Sequence, residues 1–169
     1  MHAVLLFATI DLPNYQLWDF AGVDGLQFAK ILVGDAAGKL APFQSLEATV
    51  ADYPCSLLWL CENNFRLGIQ GNFAIQAPAK MRVWVKRCET IKAIALPHSF
   101  KLKLRQIATT KPPHRLQGLT LNCAVPARIN SISVLIWHHS PLGKAILELH
   151  TAARDAPVIR AKLVNSEKG

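Results

Sequence analysis

The apolar residues of this chain come in short runs, and almost every run is cut by proline, glycine, asparagine or aspartate. Runs that short suit strands better than helices, because a helix needs an apolar stripe sustained over several turns. Residues 2–10 read as a first strand, closed by the turn chemistry of Asp11, Pro13 and Asn14. Residues 26–33 fit a second strand ending at Gly34, and residues 45–53 fit a short helix stopped before Pro54. Residues 65–69 and 73–76 flank Gly71 and Asn72, which predicts a hairpin. Residues 81–85, 91–96, 100–107, 119–125 and 129–137 supply further strand patterns, and residues 158–164 a last one.

One segment reads clearly as helix. Ser140 suits an N-cap, Pro141 the first helical position, and Leu142, Ile146, Leu149 and Ala153 recur at three and four residues. The expected helix covers about 141–154 and stops at Pro157. Short strands outnumbering helices predict an α+β fold, a mostly antiparallel sheet or partly open β-barrel with this helix packed against it.

With 169 residues, 51% of them apolar and 18% charged, the chain has the means to bury a real core. Residues 1–164 are expected to form a single globular domain, with 165–169 as a frayed tail. Cys55, Cys61, Cys88 and Cys123 form neither a C-x-x-C pair nor a disulfide framework. They predict buried thiols, no metal, no cofactor and a reducing, cytoplasmic compartment. The early apolar run is too short for a membrane span or a signal peptide, so no membrane partner is expected.

Charge is unevenly placed. Residues 1–65 carry two basic and seven acidic side chains, whereas residues 66–169 carry seventeen basic and four acidic. Within 80–86, strand alternation would put Lys80, Arg82, Trp84 and Lys86 on one face and Met81, Val83 and Val85 on the other. Within 101–105, Lys101, Lys103 and Arg105 would likewise share a side. Two such strands in one sheet would merge into a basic platform, with cations for phosphates and a ring for stacking on bases.

A histidine pair marks the junction before the expected helix. His138 and His139, being adjacent, point opposite ways in a strand. The backbone at Ser140, opening a helix, could hold an anion, with a histidine and Asp11 in acid–base roles. The segment 34–39 misses a phosphate loop by its spacing and by Leu40, and no hydrolase, zinc or dinucleotide motif occurs.

The expectation from these residues is a binding protein for RNA or single-stranded DNA, held by Lys80, Arg82, Trp84, Lys86, Lys101, Lys103 and Arg105. One alternative is a structural or assembly protein acting through a homo- or hetero-oligomer interface. A second alternative is a small hydrolase acting on an anionic substrate, with Asp11, His138, His139 and Ser140 at its site.

Overall fold

The computed structural model describes the backbone of residues 9–168 and the side chains of residues 9–166. The fold is α+β, with two open antiparallel sheets and a C-terminal helix. The chain divides into two compact units, one of residues 12–89 with 139–144 and the other of residues 9–11, 90–138 and 145–168.

The first unit holds β1 (Tyr15–Ala21), α1 (Gly25–Val33), β2 (Ser45–Val50), β3 (Tyr53–Cys61), β4 (Asn64–Gln70) and β5 (Trp84–Arg87). Its sheet runs β2-β3-β4-β1-β5, every pairing antiparallel. Alternate residues of the strands point into one core, where Phe20 stacks on Phe65 and meets Phe28 of α1 edge to face. Those rings are fully buried. Truncating one to alanine costs about 3–5 kcal/mol in such a setting.

The second unit holds β6 (Ile91–Pro97), α2 (Lys101–Ile107), β7 (Ala108–Thr109), β8 (Cys123–Ile129), β9 (Ile132–His139), β10 (Ile146–Ala152) and α3 (Ala156–Lys168). Its sheet runs β6-β10-β9-β8-β7. Leu147 and Leu149 of β10, Leu104 of α2, and Ile159 and Leu163 of α3 share its core. The last residue of β9, His139, already belongs to the first unit.

The expected class is therefore found, but the helices lie elsewhere. Residues 146–152 form a buried strand, not part of a helix over 141–154; only a single 3₁₀ turn, Pro141–Gly143, follows Ser140. The C-terminal helix begins at Ala156, so Pro157 opens it in the first turn, where a missing N–H costs nothing. Residues 158–164 are helix for the same reason, with Ile159 and Leu163 on one face. Residues 26–33 are helical and residues 45–50 are strand, the reverse of the expectation in each case. Residues 73–76 carry no strand; the partners of β4 are β3 and β1. Strand β8 runs through Pro126, which β7 does not reach, so no ladder donor is missed there. Of the expected strand over 2–10, residues 2–8 lie outside the described residues; Ile10 N–H donates to Ala95 O at 2.8 Å. No helix among the described residues is long and apolar enough to cross a membrane.

Two hairpins turn on residue pairs with positive φ at both central positions, Ala51-Asp52 between β2 and β3 and Asn130-Ser131 between β8 and β9. This geometry matches the strand twist but penalises a Cβ. Alanine at φ 50° has no side-chain hydrogen bond to offset that penalty. Replacing Ala51 by Asn together with Asp52 by Gly is expected to stabilise the fold by about 1 kcal/mol, a rise of roughly 2–4 °C in Tm by calorimetry.

Candidate functional site

Strand β5 is an edge of its sheet, paired to β1 alone among the described strands. Across residues 80–86 the alternation read from sequence is seen in exposure. Lys80, Arg82, Trp84 and Lys86 are exposed, while Met81, Val83 and Val85 pack on the first unit's core. Trp84 is 53% exposed, and Arg87 is exposed beside it. Arg82 is tied to Asp24, whose carboxylate accepts its backbone N–H at 2.8 Å. Gly22 lets that segment pass, since a Cβ there would overlap the Arg82 carbonyl. Lys86 lies opposite Asp19, which holds Arg66 in a bidentate pair at 2.7 and 3.0 Å.

The second basic segment does not join this edge. Residues 101–107 form α2, not a strand, and belong to the other unit. Residues two apart on a helix lie about 200° apart around it, so Lys103 is turned away from Lys101 and Arg105 and the three do not form one face. Lys101 Nζ donates to Leu119 O at 2.6 Å and Lys103 Nζ to Ser166 O at 3.3 Å, near the end of α3. Both lysines are spent on carbonyls, Lys101 on a loop and Lys103 near the C-terminal end of α3, where a cation is favourable. A platform shared by two basic strands is not formed.

The histidines diverge as adjacent strand residues must. His138 belongs to the second unit, where its Nε2 meets His98 Nδ1 at 3.0 Å and its Nδ1 meets Leu119 O at 3.2 Å. A carbonyl only accepts, so Nδ1 of His138 carries the hydrogen, and His98 donates to its Nε2. The two rings stack with centroids 4.9 Å apart. Burial pushes the His138 pKa below its ordinary value of 6.5, and the positive charge of Lys101 acts the same way. Asp11 is exposed; the carboxylate that meets a histidine of this pair is Glu47, not Asp11.

His139 belongs to the first unit and is completely buried. Its Nδ1 lies 3.2 Å from Glu47 Oε1 and 3.0 Å from Ser56 Oγ. Ser56 donates its hydroxyl to Glu47 Oε2, and Ser140 N–H donates to Glu47 Oε1 at 3.0 Å. Nδ1 of His139 is therefore a donor to both oxygens. Ser56 faces an imidazole N–H rather than a lone pair, so this is a clamp and not a nucleophile–base pair. The donor offered by Ser140 to a ligand anion is filled by the protein's own carboxylate.

Beside the clamp lies a cavity of about 260 Å³, with Glu47, Ser56, Gln70 and Leu142 among its walls. Its lining is largely apolar, and Cys55 belongs to it. Burial, reinforced by the charge of Glu47, pushes the Cys55 thiol up to about 12. The thiol therefore stays protonated at neutral pH, packed in the first unit's core. Nε2 of Gln70 is buried without a hydrogen-bond partner. Among the described residues, no group of three histidine, cysteine, aspartate or glutamate side chains is placed to hold a metal.

No family model and no curated protein matches this chain. Solved structures do resemble it. The aminomethyltransferase T of the glycine cleavage system from Bartonella henselae superposes with a TM-score of 0.69 at 16% identity, over 90% of this chain and 44% of that one. A chain of the heterotetrameric sarcosine oxidase from Corynebacterium sp. U-96 superposes with a TM-score of 0.64 at 16% identity, over 94% of this chain and 80% of that one. The chain thus spans less than half the length of the aminomethyltransferase it resembles. At this identity the likeness establishes the fold.

The depressed His138 pKa fixes a sign. Below the ordinary value of 6.5 the unfolded chain binds a proton that the folded chain resists, so its contribution destabilises the fold as pH falls. Urea unfolding should show stability declining from about pH 7 to 5, and His138→Asn should flatten that decline.

Proposed function

We propose that this chain is an assembly subunit, which docks through β5 onto a second, different chain of a metabolic enzyme. The observation that carries this reading is Trp84, a large ring more than half exposed on an open strand edge, in a segment that also exposes Lys80, Arg82, Lys86 and Arg87. Lysines alone would suffice to guard an edge against chance pairing. An exposed tryptophan among cations has instead the composition of an interface anchor, since Trp and Arg dominate binding hot spots. The fold likeness to most of one chain of a heterotetrameric enzyme points the same way.

The cations argue for an acidic partner rather than a second copy. A two-fold pairing of β5 with itself would bring the cations of one copy, Lys86 and Arg87, alongside the cations of the other, and like charges placed close together are destabilising. An acidic surface gives both attraction and register.

Isolated from its own cells, the full chain is expected to carry a distinct acidic enzyme chain at fixed stoichiometry by native mass spectrometry. Trp84→Ala should raise the dissociation constant of that pair by about tenfold or more, with an unchanged circular dichroism spectrum. Rising salt should weaken the pair further. A stable homodimer, or a complex indifferent to Trp84→Ala, would overturn the reading. So would salt-sensitive capture of single-stranded RNA at Arg82 and Lys86 with no protein partner.

A further inference from the structure

We propose that β5 takes up an extended, acidic segment of the partner chain, which pairs antiparallel to it as a sixth strand of the first unit's sheet. That pairing rests on the docking role proposed above for this edge, and gives the bound segment its form.

The register of β1 and β5 decides which backbone groups are available. In an antiparallel ladder, residue pairs that exchange hydrogen bonds alternate with pairs that do not. Cys88 N–H donates to Leu17 O at 2.8 Å, one step beyond the end of β5. Counting back through the register, Lys86 opposite Asp19 and Trp84 opposite Ala21 also turn their backbone groups toward β1. Val85 and Arg87 therefore turn theirs away from β1, off the edge of the sheet. The Arg87 carbonyl accepts from Glu89 N–H at 3.1 Å. Val85 N–H, Val85 C=O and Arg87 N–H are left on the open side, which no described strand covers. Such a row is a template for a further strand, and main-chain pairing is a recurrent way to hold an extended peptide.

The side chains of β5 set what that strand carries. A residue opposite Val85 shares its face, the one that packs on the first unit's core with Met81 and Val83. An aliphatic side chain there extends the apolar cover. The residue opposite Lys86 stands on the outer face, near enough to the ammonium for a carboxylate to pair with it. The residue opposite Arg87, which is exposed, suits a second carboxylate. Opposite Trp84, an aromatic or β-branched side chain covers the exposed indole. Along the incoming strand the pattern reads acid, acid, aliphatic, aromatic. Arg82 adds little to this demand, because Asp24 lies 3.6 Å from its Nε. Glu89, the one acid of residues 80–89, lies past the end of the strand.

The test uses the full chain and a synthetic peptide, acetyl-Thr-Glu-Glu-Val-Tyr-Thr-amide, with amide hydrogen exchange read by NMR. Saturable binding is expected, with exchange slowed at Val85 and Arg87 and little changed at Trp84 and Lys86, whose N–H groups already serve β1. N-methylation of the peptide's valine, whose N–H faces β5 in this pairing, should weaken binding about tenfold through the lost hydrogen bond. N-methylation of its tyrosine, whose N–H faces solvent, should leave affinity within about twofold. Replacing both glutamates by lysine should abolish binding. Equal effects of the two methylations, binding that does not saturate, or exchange unchanged at Val85 and Arg87 would each overturn the added strand. A native partner that needs Trp84 yet leaves Val85 exchange unchanged would overturn it too, while the docking role of the edge would stand.

Discussion

The carboxylate of Glu47 is the interaction on which the rest of this structure turns. It gathers Ser56 O–H, His139 Nδ1–H and Ser140 N–H, two of these from a segment ninety-two or ninety-three residues away in sequence. Hydrogen bonds to a charged group contribute about 1.5–3 kcal/mol each, more than their neutral equivalents. The tethered loop brings little apolar surface of its own; Pro141 is its buried apolar residue. Electrostatics rather than burial therefore positions it. The cavity inherits this dependence, because Ser140, Pro141, Leu142 and Gly143 form one of its walls.

The fold class was legible because breakers cut the apolar runs to strand length, a feature independent of where each strand lies. The placements failed where local period and tertiary burial disagree. In β10 both faces are buried, so Ile146, Leu149 and the flanking Leu142 and Ala153 imitate a helical stripe. The alternation of Leu147, Leu149 and Thr151 against Ile146, Glu148 and His150 was the truer signal, hidden because Glu148 and His150 pair with each other at 2.5 Å inside the protein. In α2 the opposite occurred. Alternating lysine and leucine imitates a strand, but only Leu104 is buried, one turn after Phe100. Leu102 is exposed, which no alternating strand face would tolerate so readily. The length and composition that suggested one domain do not reveal that contacts gather around two sheets.

The site was less legible than the fold. The divergence of His138 and His139 followed from strand geometry alone, and each imidazole indeed enters a different unit. Their partners did not follow. Glu47 and Ser56 face each other only in the register of the β2–β3 hairpin, and reading 45–53 as a helix concealed that register. The signal was present at Ala51-Asp52, but alanine is a poor advertisement for a turn with positive φ. The half of the basic pattern that held, residues 80–86, did so because its aliphatic residues found a core to pack against.

The six residues 139–144 complete one unit while the chain on either side of them belongs to the other. All five strands of the first unit have been synthesised by residue 87, yet its carboxylate clamp cannot close until β6 through β9 have followed. Neither unit is a continuous stretch that could be cut out whole. Synthesis thus imposes a sequence of events, in which the earlier sheet must wait, its Glu47 solvated, for a loop delivered by the hairpin of the later one.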